Sequence, residues 1–260
     1  MIPCPLSPAD ERTAQDIAAW LGGCRRLLFI TGAGLSADSG LPTYRGIGGL
    51  YESQTTDEGM AIEEALSGHV FAARPELGWK YIARIEAACR GAEPNPGHHV
   101  MADLQDRFDV WILSQNVDGL HRAAGSSQVM DIHGDIHDLR CTRCAHQATV
   151  TDYADLDLPP RCPACGAIVR PAVVLFGEML PHDTVRTLGE QLAQGFDAVF
   201  SVGTSSLFPY IVEPVLRAHN AAIPTVEINP GRTVISDMVD FKMNCGAAAA
   251  MAGIQRALQA

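Results

Sequence analysis

Cys141 and Cys144, then Cys162 and Cys165, form two C-x2-C pairs separated by 17 residues. Two thiolate pairs at that spacing can complete a tetrahedron around one zinc ion. Four thiolates leave no open coordination position, so such a zinc supports structure and takes no part in a reaction. Pro163 and Gly166 beside the second pair suit a tight knuckle. The competing reading is a pair of redox couples or disulfides. His137 and His146 lie nearby as substitute ligands, which four cysteines make unnecessary. Cys4, Cys24, Cys89 and Cys245 have no spacing partner and read as core or surface thiols.

A second group of residues points to a nucleotide. Gly32, Gly34 and Ala37 satisfy G-x-G-x-x-[G/A] directly after the apolar run Leu27-Leu28-Phe29-Ile30. Glycines at a strand-to-turn junction let backbone N–H groups approach a pyrophosphate, and a following helix N-terminus favours its charge. Gly40 and Pro42 interrupt that helix within about two turns, since neither tolerates a helix interior. An ordinary dehydrogenase continues through a full helix to a second strand ending in an acidic residue. Glu52 has that spacing, but no strand precedes it. Taken alone, the stretch also admits the lesser reading of a Gly-rich turn carrying a structural arginine, Arg45.

His133 is the candidate general base. It follows a short apolar run at 129–132, sits beside Gly134, and has the side chain whose ordinary pKa suits proton transfer near neutrality. Ser114-Gln115-Asn116-Val117-Asp118-Gly119-Leu120-His121 follows another strand-like run, at 109–113. Polar residues at the C-terminal ends of strands are where open α/β sheets bind ligands. A lone histidine is more often structural, and position alone does not decide between the two readings.

These motifs together resemble the sirtuins, the NAD-dependent protein lysine deacylases, in their bacterial type. The stretch from Gly32 to Gly46, GAGLSADSGLPTYRG, is similar to the family's GAGxSxxSGIPxFRG and departs from it at Leu41 and Tyr44. SQNVDGLH resembles TQNVDxLH, with Ser114 for Thr, and His133-Gly134 resembles the catalytic His-Gly. Gly203-Thr204-Ser205 is similar to the family's GTS, and Ile228-Asn229 to its IN. The resemblance covers roughly residues 25–250.

It implies an acyl transfer to NAD. Asn116 and Asp118, with Ser36, would hold the nicotinamide carboxamide, to which an amide and a carboxylate are suited. The acyl-lysine oxygen would attack the anomeric carbon as nicotinamide leaves. His133 would then deprotonate a ribose hydroxyl that attacks the resulting imidate. The products would be nicotinamide, free lysine and O-acyl-ADP-ribose. The remaining NAD contacts implied are Gly32, Ala33, Gly34, Pro42, Tyr44, Arg45, Gln115, Gly203, Thr204, Ser205, Asn229 and Ala247. The segment Val174, Phe176, Gly177 and Glu178 would hold the substrate backbone by strand pairing. Tyr81 and Arg84 share a helix face. Tyr-x-x-Arg resembles the pair that receives succinyl or malonyl groups, because Arg clamps a carboxylate bidentately. The bland reading is a core tyrosine beside a solvated arginine. The rival functions are protein mono-ADP-ribosylation at the same NAD site, which an intact His133 disfavours, and a non-catalytic NAD sensor or acyl-lysine reader.

The elements needed to position these residues are legible. Ser7-Pro8-Ala9-Asp10 predicts a capped helix with Ile17, Ala18 and Leu21 inward, ending at Gly22-Gly23. Six short strands are expected, at 27–30, 109–113, 129–132, 173–176, 198–202 and 225–228. Helices are expected at 63–66, 77–89, 99–105, 182–194, 209–220 and 247–258. The pattern is α/β: a doubly wound, mostly parallel, Rossmann-like sheet with a smaller domain. The sheet domain would be discontinuous, from residues 1–46, 93–136 and 171–260. A helical insertion at 47–92 and a zinc-ribbon-like module at 137–170 would form the smaller one.

Composition bounds the partners. The formal net charge of -11 argues against nucleic acid, which needs a basic face, and suits acylated-lysine proteins or peptides. No apolar run has the length of a membrane span and no signal peptide is visible, so the expectation is a cytoplasmic enzyme in a reducing compartment. A monomer is compatible with the sequence, which does not fix the oligomeric state.

Overall fold

The computed structural model describes residues 5–43 and 56–260. Tyr44 and Arg45 of the signature loop lie outside the described residues, as do Cys4 and Glu52.

In chain order the elements are α1 (Pro8–Leu21), β1 (Arg26–Thr31), α2 (Ala33–Ser36), α3 (Ile62–Ala65), α4 (Gly68–Ala73), α5 (Pro75–Cys89), α6 (Pro96–Asp103), β2 (Asp109–Ser114), α7 (Leu120–Ala123), β3 (Val129–Asp131), β4 (Gly134–Cys141), β5 (Gln147–Thr149), β6 (Val169–Val173), α8 (His182–Gln194), β7 (Ala198–Val202), α9 (Pro209–Asn220), β8 (Thr225–Ile228), β9 (Phe241–Met243) and α10 (Ala247–Gln259). The Ser7 hydroxyl accepts from the Asp10 N–H and Pro8 sits in the first turn, so α1 begins where its capping residues place it.

The larger sheet is parallel throughout, in the order β3-β2-β1-β7-β8-β9. Both faces are covered, which is why its strands read as continuous apolar runs. Within β1, Leu27 and Phe29 face the layer of α1, α6 and α10, while Leu28 and Ile30 face that of α8 and α9. Phe29 stacks on Phe200 of β7 with centroids 4.5 Å apart.

One expected strand is reassigned. Residues 173–176 do not join the large sheet. Val173 ends β6, which belongs to a separate three-stranded sheet, β5-β4-β6. Beyond it, Leu175 O accepts from Glu178 N at 3.0 Å, with Gly177 at φ +80°, so the chain turns back. The sixth strand of the large sheet is β9, which the apolar-run criterion misses because Phe241-Lys242-Met243 is short and carries a lysine.

The small sheet packs with α3, α4 and α5 into one apolar cluster that includes Trp79, Tyr81, Ile82, Cys141, Tyr153 and Cys162. The Trp79 indole N–H donates to Val169 O at 2.9 Å, joining α5 to β6 inside it. The cluster reaches Ile136 and Leu175, beyond the residues 137–170 expected for the cysteine module.

The connections at the C-terminal ends of β1 and β7 touch each other. Gly34 N donates to Gly203 O at 2.8 Å, and Gly203 N donates to Ile228 O at 2.9 Å. A Cβ on Gly203, whose φ is +62°, would lie 2.3 Å from Leu35 N. We therefore expect Gly203→Ala to cost about 2–5 kcal/mol, adding a left-handed-backbone penalty to an overpacking penalty. Urea unfolding checks this; an unchanged midpoint would show that the two loops can separate freely.

Candidate functional site

Strand order reverses at β1, whose neighbours are β2 on one side and β7 on the other. Such a switch point opens a crevice beyond the strand ends. Gly32 to Ser36 follow β1, Gln115 to Asp118 follow β2, His133 follows β3, Gly203 to Ser205 follow β7, and Asn229 follows β8. The fold thus gathers on one edge residues that are up to about two hundred positions apart.

The helix after the glycines is a four-residue turn, α2, continued by a short 3-10 segment and stopped by Gly40 at φ +84°. Gly34 has a different role from the one its motif suggests. Its N–H is used on Gly203, and its Cβ would lie 2.7 Å from the Gly203 backbone. Glycine is required there by a protein neighbour. Asp38, in the same loop, accepts from Ala248 N at 2.9 Å and ties the loop to the start of α10, next to Ala247.

Behind the loop, three side chains form an ordered chain. Asn116 Nδ2 donates to Gly32 O at 3.2 Å and to Ser36 Oγ at 3.1 Å. Ser36 Oγ in turn donates to Asp118 Oδ2 at 2.6 Å. Both amide hydrogens of Asn116 are therefore committed, and what it offers outward is its Oδ1 acceptor. Burial pushes the Asp118 carboxyl up, against the Ser36 hydroxyl and the Leu120 N–H, which favour the carboxylate. These residues line a small pocket with Ala33, Leu41, Pro42, Ile85, Cys89 and Val117. Burial drives the Cys89 thiol up to about 12, so it is an un-ionised wall residue.

Gln115 links the strand ends. Its amide donates to Thr204 Oγ1 at 2.8 Å, and its backbone carbonyl meets His133 Nδ1 at 3.0 Å. Asn229 Nδ2 donates to Thr204 O at 3.0 Å, and Asn229 Oδ1 accepts from Gly231 N at 2.9 Å. Ser205 is exposed, and the next residue, Ser206, is buried at φ +53°.

A carbonyl can only accept, so His133 Nδ1 carries a hydrogen and the neutral ring has its lone pair on Nε2. Burial depresses the His133 pKa, outweighing the Gln115 carbonyl, which favours the charged ring. The imidazole is held as a neutral base. Gly134 beside it is obligatory: at φ +80°, an added Cβ would sit 1.9 Å from Ala172 O. Tyr210, whose hydroxyl lies 2.7 Å from His133 Nε2, escapes sequence reasoning because its partner is 77 positions away.

The segment expected to pair with a substrate strand is largely occupied by the chain itself. Val174 N donates to His133 O at 2.9 Å, Phe176 N to Leu66 O at 3.0 Å, and Gly68 N to Phe176 O at 3.0 Å. Glu178 accepts from both Arg170 terminal nitrogens, at 2.6 and 3.0 Å. Tyr81 and Arg84 are on α5 and are engaged as well. The buried Tyr81 donates its hydroxyl to Glu58, and Arg84 pairs with Asp57 at 2.9 Å; Lys80 bridges both acids.

The sulfur atoms of Cys141, Cys144, Cys162 and Cys165 all lie within 4.8 Å of one another. Cys141–Cys165 and Cys144–Cys162 are 3.5 and 3.6 Å apart. A disulfide requires about 2.05 Å, whereas ligands at about 2.3 Å from a tetrahedral zinc stand close to these separations. Backbone N–H groups of Arg143 and Cys144 point at Cys141 Sγ, at 3.3 and 3.4 Å, as suits a thiolate. The donor set fits one closed zinc site.

Similarity to known proteins agrees with this geometry. The Sir2 family profile matches residues 32–209. A Pseudomonas aeruginosa protein named NAD-dependent protein deacylase 2 is 51% identical over 231 residues, which is 87% of this chain and 90% of that one. A crystal structure of a Sir2 homologue with NAD superposes with a TM-score of 0.83 at 31% identity, covering 98% of this chain and 96% of that one. A Sir2–p53 peptide–NAD+ complex gives 0.79 at 27%, covering 93% and 96%. The chain belongs to the Sir2 family.

Proposed function

We propose that this chain is an NAD-dependent protein-lysine deacylase. The observation that carries the reading is a neutral His133, its Nε2 lone pair set at the strand ends of a Sir2-family chain. When bound, NAD supplies an electrophilic ribose carbon, a nicotinamide leaving group and the hydroxyls that receive the acyl group. Asn116 Oδ1 and Asp118 would accept from the carboxamide N–H groups. His133 Nε2 would take one proton from a ribose hydroxyl, with its Nδ1–H kept on the Gln115 carbonyl. Gln115 and Asn229 brace the Gly203–Ser205 connection through Thr204. Ala33 and Pro42 line the pocket beside Asn116 and Asp118, and Gly32, Gly34 and Ala247 would complete the wall of the nucleotide crevice. The substrates are acylated-lysine peptides, supported by the peptide in the p53 complex.

The acyl group is a neutral one such as acetyl, ahead of succinyl or malonyl. Tyr81 and Arg84 already have carboxylates from this chain, Glu58 and Asp57. An acidic acyl group would have to compete with them. The test is mass spectrometry on matched acetyl- and succinyl-lysine peptides, with and without NAD. NAD-dependent removal of acetyl several-fold faster than succinyl is expected. Faster removal of succinyl, with that advantage lost in Arg84→Ala, would establish the carboxylate clamp instead. Consumption of NAD with ADP-ribose attached to protein, and neither peptide deacylated, would make the chain an ADP-ribosyltransferase.

A further inference from the structure

His133 has two hydrogen-bonding atoms, and both have partners from other elements. The Gln115 carbonyl at the end of β2 takes the Nδ1–H at 3.0 Å. The Tyr210 hydroxyl, at the N-terminal end of α9, lies 2.7 Å from Nε2. With the hydrogen on Nδ1, Nε2 is an acceptor, so Tyr210 donates. The phenol is positioned by packing: its ring lies parallel to that of Phe208, 5.4 Å away, and both rings meet the imidazole edge-on at 6.0 Å. Phe208 caps α9 and Pro209 starts it, so the helix terminus sets the angle of the aromatic pair.

We infer that Tyr210 is a positioning residue for the base: its hydroxyl fixes the ring that the Gln115 carbonyl holds as the Nδ1–H tautomer, and covers the Nε2 lone pair until a ribose hydroxyl replaces it. This rests on His133 acting as the base in the proposed deacylation. The phenol neither gains nor loses a proton in this role. Burial raises its pKa, so it remains a donor across the working range. Without the phenol, no other described side chain hydrogen-bonds Nε2. Exposure of that lone pair to water would also let the ring protonate more readily.

The other charged groups near His133 are neutralised by their own partners. Asp131, two residues before it, pairs with Arg122 at 2.6 Å. Asp135, two residues after it, holds His137 at 2.8 Å. Neither carboxylate bonds the His133 ring. From β2 and α9, only the Gln115 carbonyl and the Tyr210 phenol reach it. The consequence of losing the phenol has a defined sign. A hydrogen bond donated to the neutral ring favours the neutral ring, so its loss raises the His133 pKa.

The test uses Tyr210→Phe, which deletes one oxygen and keeps the aromatic stack, with Phe208→Leu as the variant that disturbs the stack and keeps the hydroxyl. Nitrogen-15 NMR of the His133 imidazole in the free enzyme reports tautomer and titration midpoint whether or not the protein deacylates anything. In wild type and in Phe208→Leu, Nε2 should be the unprotonated nitrogen. In Tyr210→Phe the midpoint should rise by about half to one pH unit, the net worth of one hydrogen bond, while the Gln115 carbonyl keeps the hydrogen on Nδ1. The acid limb of kcat/KM for NAD should rise with it. The same midpoint in Tyr210→Phe as in wild type would overturn the inference while leaving the deacylase reading intact. Failure of the wild type to deacylate would strike that reading instead, and the NMR comparison would still decide the role of Tyr210.

Discussion

His133→Ala should lower kcat/KM for NAD-dependent deacylation by about 10²–10⁴, the usual worth of a positioned general base. The loss should be selective. Asn116, Ser36 and Asp118 form their own hydrogen-bonded chain without His133, so NAD should still bind. In the proposed mechanism, departure of nicotinamide would not require the base, because the proton would be taken from the ribose only afterwards. Exchange of labelled nicotinamide into NAD should therefore survive better than acyl transfer. The pH dependence follows from the burial of His133. The reactive form is the neutral ring, which predominates above the pKa, and that pKa is depressed below the ordinary value. Activity should accordingly persist below pH ~6.5 before its acid limb is reached. An alanine variant that retains full acyl transfer would remove His133 from the mechanism. A limb well above the ordinary histidine range would show that the ring is charged in the free enzyme, against its packing.

Much of this site could be read from the chain because short contiguous motifs carry it, even where the neighbour that requires a residue is distant. Gly34, Gly134 and Gly203 stand where a strand ends, and a residue with a Cβ fails at each. The cysteine spacing works for the same reason, since each knuckle is closed by its own few residues. What escaped was set by distant neighbours. Gly34 was legible as a glycine, but its reason was not, because Gly203 is far along the chain. Tyr210 looks like any first-turn helix residue until β3 brings His133 to it. The segment 173–176 looks like a buried strand because Val173 and Leu175 are buried, although the core they enter is that of the small sheet. In β9, by contrast, Lys242 reaches Asn229 O at 2.6 Å and Glu227 at 3.4 Å. A lysine in a strand lowers a propensity score, yet here it answers the buried Glu227, whose carboxylate also accepts from Thr233 and Ser236. The motif at Tyr81 and Arg84 was equally visible, but its meaning depended on Asp57 and Glu58, which no spacing rule connects to it.

Removal of zinc should abolish deacylation although the metal touches no reactant. The four sulfurs form a closed set with no position for water or substrate, so no Lewis-acid role is available to the ion. Its effect must pass through structure, and the path is short. Cys141 ends β4, and β4 begins at Gly134, next to His133. Cys141 and Cys162 are also buried in the apolar cluster that contains Trp79, Ile82 and Leu175. Binding energies of structural zinc in small modules are about 10–16 kcal/mol, comparable to the whole stability of a domain. Losing the ion should therefore unravel the β4-β5-β6 sheet and release α5, while the parallel sheet, with its separate core, keeps its secondary structure. We expect the chelated protein to lose activity together with near-ultraviolet signal from Trp79 and Tyr153, which pack edge-to-face at 5.3 Å. Far-ultraviolet signal should be largely retained, and added zinc should restore both activity and packing. The double variant Cys162→Ser, Cys165→Ser should behave like the chelated enzyme and resist rescue. Full activity in protein shown to be metal-free would mean that the apolar cluster alone holds β4 in place.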